Sequence, residues 1–318
     1  QNGRYDDAEK LAKSITQEFP KHQFSWKVLG VVLKETGRVR ESLVASQKSV
    51  QLAPQDAEAH YNLGVTLQEL GKLGKAEASY MQAIVLKPDL ADAHNNLGNT
   101  LKELGRLGEA ETSYRQAIEL KPDLSGTHNN LGNTLKESGK LDEAEASYGQ
   151  AIALKPDYAQ AYSNLGNTLK ELGRLDEAEA SHIQAIMLKP DYAEAHNNLG
   201  NTLKKLGRLD DAEASLRQAI ALKPDYAEAH NNLGNIIKKL RRSDEAEVSY
   251  RQAIQLKPDY AGAHNNLGNM LEELSRSEEA EISFRKAIEL KSDLSEAHCN
   301  LGNTLKELGR LDDAEASL

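Results

Sequence analysis

Asparagine recurs at a fixed spacing of 34 residues, and it is the residue type in this chain best suited to bind another molecule. One series consists of Asn62, Asn96, Asn130, Asn164, Asn198, Asn232, Asn266 and Asn300. A second series, three residues further along, consists of Asn99, Asn133, Asn167, Asn201, Asn235, Asn269 and Asn303. A carboxamide carries both donors and an acceptor, so it can pair with a peptide group, which has one of each. Asparagine is also a mediocre helix former, so two in every predicted helix call for a reason.

Two interpretations of these asparagines remain open from the residues alone. In the first, they hold an extended polypeptide by its backbone. Packed helices lie about 8–10 Å apart and an extended chain rises about 3.3 Å per residue, so one repeat spans about three peptide residues. In the second, they descend from one duplicated repeat, or bond between repeats or to water. The first interpretation predicts that stability survives alanine at Asn130, Asn164, Asn198 and Asn232 together.

A second candidate for binding is a step in charge along the series of repeats. Most repeats carry a Lys–Glu pair, such as Lys170–Glu171. The next two repeats form a basic step, with lysine at both positions: Lys204, Lys205, Lys238 and Lys239. The repeat after them carries Glu272–Glu273. A basic step beside an acidic one could orient a partner of matching charge. The alternative is sequence drift on a solvated surface.

The other reactive residue types give no site. Seven of the nine histidines also recur every 34 residues: His60, His94, His128, His196, His230, His264 and His298. This spacing keeps them about one repeat apart, too far for a shared metal, and we expect them to pack in the core. The recurring serines have no His/Asp partners in sequence, and Cys299 is expected to be an inert thiol. We therefore predict no catalytic residue, no metal and no cofactor.

Composition excludes further classes of function. The net charge is -10 and the pI about 5.5, which argues against general nucleic-acid binding because that requires a basic face. No apolar run approaches the roughly 20 residues of a membrane span, so no membrane partner is predicted. No signal peptide is visible, and we expect a cytoplasmic protein.

The 34-residue period defines the elements that must position these residues. Complete repeats cover residues 23–56, 57–90, 91–124, 125–158, 159–192, 193–226, 227–260 and 261–294, and partial repeats cover 1–22 and 295–318. We expect the whole of 1–318 to be one domain, with both ends cutting a repeat of something longer. A 34-residue unit cannot bury its apolar face alone, so the period predicts an all-α solenoid of stacked helix pairs.

Positions within a repeat are numbered 1 to 34, so that the two asparagine series occupy positions 6 and 9. In repeat 159–192 the apolar pattern predicts helices at about positions 1–14 and 18–31. Gly166 predicts a close approach of the two helices, and Gly173 a left-handed residue that ends the first. Asp176 and Asp191 are predicted to cap the next two helices.

One repeat carries enough of a known pattern to suggest a family. Repeat 91–124 resembles the tetratricopeptide repeat through His94, Leu97, Gly98, Leu101, Ala110, Tyr114 and Pro122. It departs from the family in having histidine in place of tryptophan at position 4 and leucine in place of tyrosine at position 11. Trp26 restores the family residue in the first full repeat. The resemblance implies a right-handed superhelix whose first helices line its inner surface.

The position-6 series also looks like that in the tetratricopeptide domain of O-linked N-acetylglucosamine transferases, where such asparagines grip the substrate backbone. Together these observations predict a protein–protein interaction scaffold with a concave groove for extended polypeptide. Two alternatives stay open: the substrate-recruiting arm of a larger transferase, and a solenoid that self-assembles through its ends or convex face. This stretch alone is expected to have no catalytic activity.

Overall fold

The chain is helical throughout the part that its structure, a computed structural model, describes. The backbone is described for residues 2–317 and the side chains for residues 5–315. Within residues 2–317 there are nineteen α-helices and no strand, which confirms the predicted all-α fold class. Residues 1 and 318, the outer ends of the two predicted partial repeats, lie outside the described residues.

The helices fall into two alternating sets that follow α1 (Asn2–Glu18). The first helices of the repeats are α2 (Gln23–Glu35), α4 (Ala57–Glu69), α6 (Ala91–Glu103), α8 (Ser125–Glu137), α10 (Ala159–Glu171), α12 (Ala193–Lys205), α14 (Ala227–Lys239), α16 (Ala261–Glu273) and α18 (Ser295–Glu307). The second helices are α3 (Val39–Leu52), α5 (Leu73–Leu86), α7 (Leu107–Leu120), α9 (Leu141–Leu154), α11 (Leu175–Leu188), α13 (Leu209–Leu222), α15 (Ser243–Leu256), α17 (Ser277–Leu290) and α19 (Leu311–Ser317).

These helices form two compact units, 1–156 and 157–318. The first unit contains α1–α9 and the second contains α10–α19. In each unit a first helix packs against its own second helix, which packs in turn against the next first helix. The assignment of the whole chain to one domain stays a prediction.

The core of each repeat forms where its two helices meet. Helix α6 packs on α7, and the buried residues include Leu97 and Leu101 of α6 and Ala110, Tyr114 and Ala117 of α7. Large aromatic rings fit between the helices because the facing residue at position 8 is glycine. The predicted close approach at Gly166 is confirmed, since a Cβ built there would lie 2.6 Å from the ring of His182.

The helix ends agree with the sequence at the glycine turn and differ at the caps. Gly173 has φ of 80°, the left-handed conformation predicted for it. The predicted capping by Asp176 and Asp191 is wrong, because the N-caps of α11 and α12 are Arg174 and Tyr192, with no side-chain cap bond. The amide of Arg174 donates to the carbonyl of Leu169 (2.9 Å), a tight turn that starts α11 early.

The displaced acidic residues still favour the helices that they were expected to cap. Asp176 lies in the first turn of α11, where a negative charge complements the partial positive charge of the helix N-terminus. A carboxylate cap does occur at α4, where Asp56 Oδ1 accepts from the amides of Glu58 (3.0 Å) and Ala59 (3.2 Å).

Candidate peptide-binding face

Both asparagine series lie on the first helices, which are adjacent to one another within each unit. In the first unit α4 contacts α6 and α6 contacts α8, and in the second the contacts run α10, α12, α14, α16, α18. All of the position-6 side chains are half-buried, and so are those at position 9 apart from the exposed Asn303. The surface that these asparagines share in each unit is called here the first-helix face.

The position-6 asparagines join neighbouring repeats through hydrogen bonds. Asn232 Nδ2 donates to Asn197 Oδ1 of the preceding repeat at 2.9 Å, and Asn266 Nδ2 donates to Asn231 Oδ1 at 2.9 Å. Equivalent bonds link Asn300 to Asn265, Asn198 to Ser163, Asn96 to Tyr61 and Asn130 to Asn99. The interpretation in which these residues bond between repeats therefore has direct support.

The acceptors of these bonds are mainly position-5 residues, which are not among the predicted site residues. Asn197, Asn231 and Asn265 have exposed fractions of only 6%, 5% and 3%. A buried carboxamide needs partners, because a buried polar group without a hydrogen bond costs about 1–3 kcal/mol. The run of two adjacent asparagines at positions 5 and 6 was the signal in the sequence that could have revealed this pairing.

The bonds between repeats leave part of four position-6 amides unused. Within residues 5–315, the Oδ1 atoms of Asn232, Asn266 and Asn300 accept no hydrogen bond from the protein. The same holds for Asn198, which also donates a single bond through Nδ2. Each of these amides thus keeps a free acceptor and one N–H, and the bond that it makes restricts its orientation.

The position-9 asparagines are held from the other side, by tyrosines of the second helices. The hydroxyls of Tyr114, Tyr148 and Tyr250 donate to Oδ1 of Asn99 (2.7 Å), Asn133 (2.7 Å) and Asn235 (2.9 Å), respectively. A tyrosine hydroxyl is protonated at neutral pH and can donate, and burial raises the pKa of Tyr250 further above its usual range. Because the tyrosine occupies Oδ1, the Nδ2 group of such an asparagine remains as a donor.

The remaining position-9 residues differ from this arrangement. Asn167 Oδ1 accepts from Lys170 Nζ (3.1 Å), and Asn269 Nδ2 donates to Glu296 (3.5 Å). Asn201 and Asn303 make no side-chain hydrogen bond within residues 5–315. The position-9 series is therefore less uniform than its sequence, because its partner at position 24 is not always tyrosine.

The position-4 histidines have a structural role that differs from the expected core packing. Their rings are half-buried, apart from the buried His128, and Nε2 lies 3.0–3.1 Å from the carbonyl oxygen six residues earlier. Because a carbonyl only accepts, Nε2 must carry the proton. Trp26 Nε1 makes the same bond to Pro20 (2.9 Å), so either ring can close the turn between repeats. No cluster of residues that could bind a metal occurs in the described part of the chain.

Three of the four lysines of the predicted charge patch are brought together in the second unit. Lys204, Lys238 and Lys239 line one pocket, whereas Lys205 is exposed and does not line it.

Elsewhere, the thiol of Cys299 is free and exposed. None of the described helices is both long and apolar enough to cross a bilayer.

Comparison with known families finds repeat models along most of the chain. Residues 121–318 match the model described as Cilia and flagella-associated protein 70 C-terminal domain. Residues 91–124 and 45–78 each match a model described as Tetratricopeptide repeat, and residues 67–105 match one described as TPR repeat. No curated protein matches the sequence.

Solved structures of similar fold share little sequence with this chain. A chain of the APC/C hetero-tetramer Cut9-Hcn1 has a TM-score of 0.66 at 18% identity, over 93% of this chain and 58% of that one. A tetratricopeptide repeat protein from Parabacteroides merdae has a TM-score of 0.66 at 18% identity, covering 78% and 98%. PilF of Pseudomonas aeruginosa has a TM-score of 0.57 at 20% identity, covering 65% and 94%. The chain thus spans little more than half of the Cut9-Hcn1 chain, and these likenesses concern the fold.

Proposed function

Because the chain belongs to the tetratricopeptide repeat family, we propose that it is a protein-interaction scaffold that holds an extended polypeptide along its first-helix face. The observation that carries the proposal is the state of the asparagine amides. Those of Asn198, Asn232, Asn266 and Asn300 are half-buried and held by bonds to the preceding repeat, yet each keeps hydrogen-bonding groups unused.

The two series complement the two halves of a peptide group. At position 6, Asn232, Asn266 and Asn300 keep an acceptor at Oδ1, which suits a peptide N–H. Position 9 keeps donors at Nδ2, as in Asn235, which suits a peptide carbonyl. Because the bonds within the protein already fix these amides, binding orders few side chains, and the entropic cost of association is reduced.

The spacing of the repeats fits an extended backbone. Adjacent helices lie about 8–10 Å apart, so one repeat spans about three residues of a chain that rises about 3.3 Å per residue. Recognition of every third peptide group places little demand on side chains. We therefore expect permissive binding, with dissociation constants of about 1 μM that decrease as more repeats are engaged.

Alanine at Asn198, Asn232 and Asn266 together should weaken peptide binding at least about tenfold, which corresponds to 1.4 kcal/mol. Fluorescence polarisation with labelled 12-residue unstructured peptides, chosen from a random array, measures the effect. The matched control replaces Gln184, Gln218 and Gln252 of the second helices by alanine, which removes three amides from another surface. The control should bind as the wild type does.

The bonds between repeats also change the stability expected of this variant. From the residues alone, alanine at the related set Asn130, Asn164, Asn198 and Asn232 was predicted to leave stability unchanged or slightly higher. The structure gives each asparagine a partner, and loss of one bond costs about 0.5–1.5 kcal/mol, partly offset by the helix propensity of alanine. A net loss of about 1–2 kcal/mol in the free energy of unfolding is therefore expected.

A change in the peptide tests the same proposal without any variant of the protein. N-methylation of alternate residues removes peptide N–H donors and leaves every side chain in place. Since position 6 offers acceptors to those N–H groups, the methylated peptide should lose most of its affinity. Equal binding of the two peptides would show that the backbone is not what the asparagines recognise.

A further inference from the structure

The first helices carry a second row of contacts, formed by ion pairs. Lysine at position 12 pairs with glutamate at position 13 of the next repeat: Lys102 Nζ lies 2.8 Å from Glu137, and Lys238 Nζ lies 3.0 Å from Glu273. The row is broken at Lys204, because position 13 of the next repeat is Lys239. Lys204 makes no ion pair with any residue in 5–315.

Like charges are crowded at this break. Lys204 is half-buried, and burial lowers its pKa, with Lys239 and Lys205 adding to the effect. A cation that is partly removed from water and faces another cation is unfavourable unless an anion joins them. The lysines at this break therefore repel one another, and a bound anion would remove that repulsion.

The crowded lysines line an open pocket of about 830 Å³ in the second unit. Lys204, Lys238, Lys239 and Arg241 contribute four positive charges, against the single carboxylate of Glu273. Asn235 also lines the pocket, and because Tyr250 occupies its Oδ1, its Nδ2 group is left to donate. The pocket thus has a net charge of three and neutral donors beside it.

One of these cations is placed at a conformational cost. Arg241 has φ of 60°, and glycine takes this left-handed conformation at the equivalent turn in seven other repeats. The left-handed region is unfavourable for a residue with a Cβ atom, so Arg241 is strained where glycine would not be. Ser275 of the next repeat is also left-handed, with φ of 57°, but adds no charge. It therefore provides a control for the backbone effect alone.

We propose that this pocket binds the phosphoryl group of a phosphorylated side chain on a polypeptide lying along the first-helix face. The inference rests on the proposed function, since it assigns the peptide a chemical class. A phosphorylated side chain carries about -1.5 to -2 charges at pH 7, which matches the pocket better than a single carboxylate does. The guanidinium fork of Arg241 and the ammonium groups are suited to its oxygens.

The charges around the pocket favour one phosphoryl group over a nucleic acid. A nucleic acid presents a phosphate at every nucleotide and needs an extended basic track. Here the basic step ends at Glu272 and Glu273 of the next repeat, and the chain as a whole has a net charge of -10. A single dianion on an otherwise neutral stretch of peptide meets no such repulsion.

The test uses three labelled 12-residue peptides of glycine, alanine and asparagine that differ only at one central residue: serine, glutamate or phosphoserine. The phosphoserine peptide should bind wild-type protein at least tenfold more tightly than the other two, and salt should reduce this gain. Inorganic phosphate and a 12-nucleotide oligothymidylate serve as separate probes. Three results would each overturn the proposal. They are tighter binding of the oligothymidylate than of the phosphoserine peptide, an affinity for free phosphate equal to that for the phosphoserine peptide, and a gain for the glutamate peptide equal to the phosphoserine gain.

The variant Lys239→Glu separates loss of binding from loss of folding. It restores the position-12 to position-13 ion pair with Lys204 and places a carboxylate in the pocket, so stability should hold or rise while the phosphoserine gain disappears. Arg241→Gly and Ser275→Gly should both stabilise the protein, and only Arg241→Gly should reduce the gain. A gain that persists in Lys239→Glu contradicts the proposal.

The peptides also distinguish failure of the pocket from failure of the proposed function. Binding of the serine peptide, and its loss in the triple asparagine variant, judges the first-helix face alone. The ratio of phosphoserine to serine affinity judges the pocket alone. If only the phosphoserine peptide binds, the asparagine grip is wrong and the pocket stands. If serine and phosphoserine bind equally, the pocket is wrong.

Discussion

Leucine in place of Gly132 should destabilise the surrounding repeat by about 3 kcal/mol, the upper end of the usual cost of overpacking a core. A Cβ at this position would lie 2.7–2.9 Å from three ring carbons of Tyr148, closer than real Cβ contacts allow. The ring is fully buried, and its hydroxyl is bonded to Asn133 at 2.7 Å. The ring therefore has nowhere to move without breaking that bond, so α8 and α9 must separate.

Hydrogen exchange of α8 and α9, alongside urea unfolding, is the measurement to use, because repeat arrays often unfold in parts. The matched control is Gly149→Ala in α9, one residue beyond Tyr148. A Cβ there meets nothing within 4 Å, so alanine should stabilise the helix by about 0.5–1 kcal/mol. Unchanged exchange in Gly132→Leu would mean that the helix pair adjusts more easily than its geometry indicates.

Much of the fold could be predicted because the period repeats the same physical constraint in every unit. Position 8 is glycine because the two helices pack closely there, as at Gly166, and position 15 is usually glycine because the turn is left-handed, as at Gly173. Both reasons can be read from one repeat. Eight copies in register make the reading of any one of them secure. This redundancy is also why the helix pairs of the whole described chain could be foreseen.

The incorrect N-cap predictions show that a local sequence pattern does not fix the residue at which a helix begins. Asp176 and Glu179 form an acceptable capping box in sequence, and so do Asp191 and Glu194. A shift of one or two residues in the turn places either aspartate outside the cap, and the sequence does not state the length of the turn. The length is fixed by the hydrogen bond from the Arg174 amide to the Leu169 carbonyl. This bond joins backbone groups, so no residue type in the sequence indicates it.

The candidate site was foreseen in its residues but not in their partners. The spacing predicted that position-6 asparagines share a face, yet it could not show that Asn232 would donate to the buried Asn197. Such a bond depends on the offset between neighbouring first helices, which no single repeat encodes. The bond made by the position-4 histidines could have been predicted. Histidine, like tryptophan, carries a ring N–H, and the proline whose carbonyl accepts from His94 stands six residues earlier in the sequence.

Structural and binding roles of the asparagines are compatible, because a carboxamide has more hydrogen-bonding capacity than one contact uses. The bond to the neighbouring repeat takes one N–H of Asn266 and leaves its Oδ1. The structural bond then fixes the orientation that a ligand would need. Duplication of one repeat explains how the series arose, whereas this division of the amide explains how it could act.

Tyrosine in place of His182 should stabilise the protein by about 2 kcal/mol at pH 7, because it removes unpaired buried nitrogens and adds a hydrogen bond. His182 is fully buried, and both of its ring nitrogens lack a hydrogen-bond partner within the described residues. It packs on Gly166 at the position where Tyr114 and Tyr250 sit in other repeats. A tyrosine hydroxyl there would reach Asn167, as Tyr250 reaches Asn235.

The advantage of His182→Tyr should grow as the pH falls. Burial, with a smaller effect from Lys170, lowers the pKa of His182 from 6.5 to about 3. Between these values the unfolded chain takes up a proton that the folded chain does not, so the stability of the wild type decreases with decreasing pH by up to about 1.4 kcal/mol per unit. Tyrosine does not titrate in this range. The difference between the two proteins should therefore be about 2 kcal/mol larger at pH 5 than at pH 7.

Urea unfolding of both proteins at pH 7 and pH 5, with His182→Phe as a third, separates the two sources of the gain. Phe284 occupies the equivalent position of another repeat and is fully buried there, so phenylalanine fits this site. The substitution removes the unpaired nitrogens without adding a hydroxyl. His182→Phe should show the same pH dependence as His182→Tyr and about 1 kcal/mol less stability. If the wild type and both variants respond equally to pH, His182 is protonated or solvated in the folded state, and its place in the core has been misjudged.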